Sequence, residues 1–158
     1  MASELSQAAA RVQAALQAAG LQLRVTELPA STRTAAEAAA AVGCSVAQII
    51  KSLVFRAAVS NAPVLVLASG QNRVDEARVG DQIGEPIEKA DATFVRLHTG
   101  FSIGGVPPVG FPAPLRTLVD QDLMSQPTLW AAAGTPQAVF SLTPADLRVL
   151  IPDAEPLR

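Results

Sequence analysis

Cysteine, histidine, lysine and tyrosine are almost missing from this chain: its 158 residues include one Cys, one His, two Lys and no Tyr. Each scarcity excludes something. The lone Cys44 has no internal disulfide partner and no charged-then-apolar segment opens the chain, so a soluble protein of the reducing cytoplasm is expected. With one thiol and one imidazole, His98, there is no ligand cluster at metal spacing, and neither a metal nor another cofactor is expected. One Trp and five Phe do not make a ladder on which single-stranded bases stack. No apolar run approaches the ~20 residues of a membrane span. A formal charge of −2 and a pI near 5.3 argue against a DNA coat protein, though not against a local basic patch. The phosphate-binding patterns G-x-G-x-x-G and G-x-x-x-x-G-K-[ST] are absent, and no close pair of carboxylates suggests dyad chemistry.

What is present is apolar residue, 49% of the chain, enough for one domain over residues 1–158 with a genuine core. Three- and four-residue apolar steps over 4–19, stopped by Gly20, predict an amphipathic helix. Period-two alternation over 21–28 predicts a half-buried strand. Ser31 or Thr32 can cap a helix over 34–43, closed by Gly43. The runs 49–55 and 63–69, rich in β-formers, predict a hairpin in the interior of a sheet. Short helices are expected over 74–80 and from Ala90 to Gly100, strands over 115–120, 128–133 and 137–142, and a last helix over 144–151 capped by Thr143 with Pro144 at its first position. The residues after Pro152 are expected to fray. Helices at both ends and in the middle of a hairpin-connected sheet give a mixed α/β domain rather than a doubly wound nucleotide fold.

Two features carry the chemistry. Lys51 interrupts the apolar run 49-IIKSLVF-55 in a chain where ten of the twelve cations are arginine and Lys89 is the other lysine. In strand alternation it shares a face with Ile49, Leu53 and Phe55, while Ser52 points the other way with Ile50, Val54 and Arg56. It is either a lysine snorkelling at a sheet rim or guarding an edge, or a cation aimed into a cleft to hold a phosphate or carbonyl oxygen. The second feature is 101-FSIGGVPPVGFPAP-114, with three glycines and four prolines in fourteen residues, a shaped loop that presents main-chain groups. Ser102 is its only side chain with nucleophilic potential. Cys44 precedes a helical turn but has no evident activating base, and reads as structural. His98 reads as a helix-end residue, and Asp120 and Asp122 as caps of a turn.

Three separated pieces, 31-STRTAAEAAAAVGCSVAQIIKSLVF-55, 99-TGFSIGGVPPVG-110, and 118-LVDQDL-123 followed by 129-LWAAAGTPQAVFSLTPADL-147, resemble the YbaK family, also called the prolyl-tRNA-synthetase-associated or INS-like aminoacyl-tRNA editing domain. The similarity spans roughly residues 20–150. It implies a curved, mostly antiparallel mixed sheet with flanking helices, acting as a free-standing deacylase on the 3′ end of a mischarged tRNA, with prolyl-tRNA synthetase as a further possible partner. On the family's motif, Lys51, Gly104, Gly105 and Pro108 are the catalytic positions, and Thr34, Ser52, Val106, Pro107, Ala132, Gly134 and Val139 bind substrate. Cysteine-specific relatives carry serine and aspartate where this chain has Ala132 and Val139, so the resemblance implies a small amino acid such as alanine, 2-aminobutyrate, serine or threonine, and makes cysteine less suited. Arg24, Arg33, Arg56 and Arg73 are candidates for the tRNA-facing patch. The alternative is a tRNA- or synthetase-binding module without turnover.

Overall fold

The computed structural model describes residues 5–157, so residue 4, where the first expected helix begins, lies outside them. The elements in order are α1 (Gln7–Ala18), β1 (Thr26–Glu27), α2 (Ala35–Val42), β2 (Ile49–Ala57), β3 (Pro63–Ser69), α3 (Glu76–Ile83), β4 (Ile87–Lys89), α4 (Ala92–Thr99), β5 (Arg116–Val119), β6 (Leu129–Ala132), β7 (Ala138–Leu142), α5 (Pro144–Leu150) and β8 (Glu155–Pro156). Single 3-10 turns, Val46–Gln48 and Gln121–Ser125, precede β2 and follow β5.

All eight strands join one mixed sheet, ordered β1-β7-β6-β2-β3-β5-β8, with β4 attached to β2. The hairpins β2/β3 and β6/β7 are antiparallel, as the sequence led one to expect, while β2/β6, β3/β5 and β5/β8 are parallel. This is the mixed α/β class expected.

Alternation along β2 sorts the packing onto two faces. Ile50 and Val54, with Leu65 and Leu67 across the ladder, join the large core built with α1, α4 and α5. Leu53 and Phe55, with Val64 and Val66, pack under Val79 of α3. Ile49 and Trp130 pack under Ala38 and Ala39 of α2. Lys51 therefore emerges between the patches covered by α2 and α3. Its strand is interior to the sheet as a whole, flanked by β3 on one side and by β6 and β4 on the other.

Several elements differ from expectation for identifiable reasons. The strand expected over 21–28 shrinks to Thr26–Glu27, because the Gln13 amide of α1 donates to the Leu23 carbonyl (2.8 Å) and accepts from the Val25 N–H (2.8 Å), so a side chain satisfies the backbone there. The cap of α2 is neither Ser31 nor Thr32 but Thr34, which forms a reciprocal capping box with Glu37. Thr32 is buried instead, its hydroxyl donating to the Pro136 carbonyl at 2.8 Å. The tail expected to fray supplies β8, which the bidentate Arg116–Glu155 pair (2.7 and 3.1 Å) and the Leu157 N–H to Val119 bond tie to β5. Among the described residues no helix is long and apolar enough to cross a membrane.

Candidate active site

β2 has two unlike edges. Toward β3 it is paired continuously from Ile50 to Arg56. On its other edge β6 pairs only with Ile49 and Ile50, and β4 only with Phe55, Arg56 and Ala57. Among the described residues no strand covers residues 51–54 on that side. The Ala57 N–H bonds the Ala62 carbonyl and the Ile49 carbonyl accepts from Gly70, so odd-numbered residues of β2 turn their main-chain groups to the β3 side, and the Ala58 N–H turns to Pro86 on the other. By alternation, the main-chain groups of Ser52 and Val54 face the gap.

Two adjoining cavities occupy this gap. The first, about 380 Å³, is a cleft between the sheet and α2. Ala35, Ala38 and Val42 of α2 form one wall, and Ile49, Trp130, Ala132 and Val139 of the sheet form the other. Lys51, Arg33 and Thr34 stand around it, and Ile103, Gly104 and Val106 close one end. The second, about 630 Å³, lies on the β4 side and shares Lys51, Ser52, Leu53, Ile103, Gly104 and Val106 with the first.

Lys51 is held from behind. Its ammonium donates to the Asn72 carbonyl, and the Asn72 amide donates to Asp120 and Asp122 at 2.8 Å each. Asp120 also accepts from the Ser69 N–H at 3.0 Å and from the Asp122 N–H at 3.0 Å, capping the 3-10 turn after β5 as its sequence position suggests. Burial pushes the Lys51 pKa below its ordinary 10.5; the Asp120 charge pulls it back up, and the Arg73 charge pushes it further down.

The Gly/Pro loop is less exposed than its composition suggests. Phe101, Val106 and Val109 insert into the large core, and Gly105, Pro107 and Pro108 are buried, so the exposed parts are the tip at Ser102 and Ile103 and the trailing Pro112, Ala113 and Pro114. Gly104 has φ +94°, and a side chain there would meet Arg33 at 3.1 Å. At Gly105 a Cβ would come within 2.8 Å of the backbone of Gly134 and Thr135, and the Gly134 N–H donates to the Gly105 carbonyl at 2.8 Å. The loop thus binds the β6/β7 turn main chain to main chain.

Of the positions named from the sequence, the structure brings Lys51, Ser52, Gly104, Val106, Thr34, Ala132 and Val139 to the walls of the first cleft. Gly105, Pro107, Pro108 and Gly134 lie behind it, shaping the loop rather than lining the cleft. The Thr34 hydroxyl is engaged as a helix cap. Ser52 pairs with Leu67 on the large-core side, and its hydroxyl is buried there with no hydrogen-bond partner among the described residues. Arg56 is tied to Glu88 and to Asn61, away from either cavity. Arg24 lines neither, whereas Arg33 and Arg73 line one each. Cys44 donates weakly to its neighbour Ser45 (3.3 Å) and burial raises its pKa, the opposite of an activated thiol. His98 packs against Phe94 within α4, the rings tilted by 49° with 4.4 Å between their centres.

Sequence reasoning missed Asn72, whose contribution is a carbonyl that any residue carries, and Ile103 and Trp130 as cavity walls. Lys89 had one signal, as the second lysine in an arginine-using chain. Among the described residues no group of three or more His, Cys, Asp or Glu could hold a metal.

The chain is similar to known proteins over the segment that builds this site. A family model described as an aminoacyl-tRNA editing domain matches residues 29–150. A solved structure presented as a candidate trans-editing enzyme for prolyl-tRNA synthetase superimposes with a TM-score of 0.90 at 49% identity, over 97% of this chain and 96% of that one. The uncharacterized protein YwhH of Bacillus subtilis (strain 168) is 31% identical over 123 residues, 78% of each chain. The proline–tRNA ligase of Limosilactobacillus fermentum (strain NBRC 3956 / LMG 18251) is 33% identical over 94 residues, which are 57% of this chain and 16% of the ligase. With the match covering β2, the Gly/Pro loop and the β6/β7 hairpin alike, the chain belongs to the aminoacyl-tRNA editing domain family.

Proposed function

We propose that this protein is a trans-editing deacylase that hydrolyses the ester of a mischarged tRNA, tRNA-Pro first among the carriers, in the cytoplasm where tRNAs are charged. The observation that carries the reading is convergence: Lys51, from the middle of an apolar strand, and Gly104 and Val106 of the rigid loop line one cavity. An ester is activated enough that fixing it, polarising its carbonyl and admitting water suffice without a protein nucleophile. Lys51 offers a positive charge to the carbonyl or to a nearby phosphate, and the loop's bare backbone allows close approach of the terminal ribose, whose free hydroxyl is available to assist the water.

The small walls Ala35, Ala38 and Ala132 suit alanine, 2-aminobutyrate, serine or threonine. Because an apolar pocket separates ligands differing by one methylene by only about 1–3 kcal/mol, the site would act on several of these and reject larger residues by contact. No cysteine-directed polar group stands at Ala132 or Val139. The experiment is a panel of mischarged tRNAs scored for ester loss with the native protein and Lys51→Ala. Loss of hydrolysis with an unchanged fold supports the reading. Equal rates would overturn it, and a gel shift without ester loss over hours would make the protein a binding module.

A further inference from the structure

The second cavity differs from the apolar cleft in its charge. Arg73 and Val74, just before α3, and Lys89 and Ala90, at the end of β4, supply its outer wall, and Lys51 stands between it and the cleft. Glu76 is its one carboxylate, against the three cations Lys51, Arg73 and Lys89. In a chain of net charge −2 that is a local reversal of sign. Other cations near the sheet are engaged: Arg56 with Glu88, Arg116 with Glu155, and Arg78 with Asp75. Arg73 and Lys89 are exposed and, among the described residues, their side chains join no ion pair or hydrogen bond. The influence of Arg73 on Lys51 places the two charges within electrostatic reach of each other. Asp120 acts on Lys51 from behind, and Arg73 also borders a neighbouring hollow lined by Asp75, Asp120 and Asp122, but inside the cavity three cations face one carboxylate, an excess that an anionic ligand stabilises. The main-chain groups of Ser52 and Val54, left without a strand across the gap, add neutral hydrogen-bonding groups on the same side.

We propose that this second cavity is a phosphodiester subsite, which holds the backbone of a single-stranded RNA 3′ end immediately before the esterified ribose. The RNA identity rests on the deacylase reading; the phosphate chemistry rests on the cavity alone. The two cavities then divide one substrate, the aminoacyl group against Ala35, Ala38 and Ala132, and the charged linkage against Arg73 and Lys89, with the ribose at Lys51 where the cavities meet.

The test is binding rather than turnover. A fluorescent CCA trinucleotide is titrated against the protein as a phosphodiester and as its uncharged methylphosphonate. The native protein should bind the charged form about tenfold more tightly at low salt, and in the Arg73→Ala/Lys89→Ala double variant that preference should fall to about twofold or less. The salt slope of log Kd should drop by about 1.4, on the order of 0.7 for each phosphate contact to a single strand. The swap Arg73→Lys/Lys89→Arg should keep the preference, because it keeps the charges. An undiminished preference in the double variant, or its loss in the swap, overturns the proposal. Complete displacement of the trinucleotide by millimolar inorganic phosphate would assign the cavity to free phosphate and overturn the RNA assignment. Failure of the native protein to cleave any aminoacyl ester would sink the deacylase reading while leaving this charge preference as measured, so the two failures are told apart.

Discussion

The two edges of β2 are made by alternate residues of one strand and do opposite things. Toward β3, the strand is paired over seven consecutive positions, and Val64, Leu65, Val66 and Leu67 opposite it are all fully or almost fully buried. Away from β3, pairing stops after Ile50 and resumes at Phe55, and the interval opens into both cavities. A zipped edge gives the strand a fixed position, and an interrupted one lets it present a cation and main-chain groups to a ligand. The lesson is that the site is rigid because of its back, not its front: Lys51 is aimed by a strand that β3 holds and by Asn72 and Asp120 behind it.

The sharpest way to break the contrast is from the zipped side. Leu67→Ala empties a fully buried position opposite Ser52 and should cost about 2–5 kcal/mol of stability in denaturant unfolding, while hydrolysis per folded molecule changes little. On the open side the effects should reverse. Lys51→Ala should lower kcat/KM for a mischarged tRNA by about 100- to 1000-fold, the scale of one lost transition-state donor, with no comparable loss of stability. Gly105→Ala tests the join between the loop and the β6/β7 turn: a methyl group 2.8 Å from backbone atoms should cost about 1–3 kcal/mol by overpacking and weaken hydrolysis as well, because it displaces Gly104 and Val106.

A smaller effect concerns pH. Burial depresses the Lys51 pKa, so between its folded value and 10.5 the unfolded chain binds more protons than the folded one, and stability should rise with pH across that window. Activity that needs the ammonium should fall over the same window. Asp120→Asn removes the charge that raises this pKa and should move the alkaline limb of the rate profile to lower pH; an unmoved limb would show that Lys51 is not the titrating group. Last in size, Thr34→Ala should lose about 1 kcal/mol from the α2 cap, seen in thermal melting, because its hydroxyl serves the helix whose alanines wall the cleft.

Much of the fold was legible because its signals are local. The apolar runs of β2 and β3, the turn residues between β6 and β7, and Thr143-Pro144 opening α5 report on themselves through propensity and steric limits. Where two strand expectations failed, a distant group had intervened: Gln13 answered the backbone at Leu23 and Val25, and β5 captured the carboxy-terminal residues as β8. The candidate site divides in the same way. Lys51 stands out in sequence as an ammonium among aliphatic residues, and the Gly/Pro loop through its composition. The Asn72 carbonyl, the gap between β4 and β6, and the pairing of Arg73 with Lys89 leave no pattern along the chain.

The sequence by itself determined the helices and the strands of the two hairpins, that a cation sits within an apolar strand, and that one loop is stiff and nearly bare of functional side chains. Only the tertiary structure decided that these meet, that the middle of the loop, Gly105 to Val109, is buried, and that a strand interior to the sheet is uncovered over four residues. The reason is physical. Propensity and periodicity act between near neighbours, whereas a cavity is the space left where parallel and antiparallel pairings from distant segments fail to meet, and no residue carries that information alone.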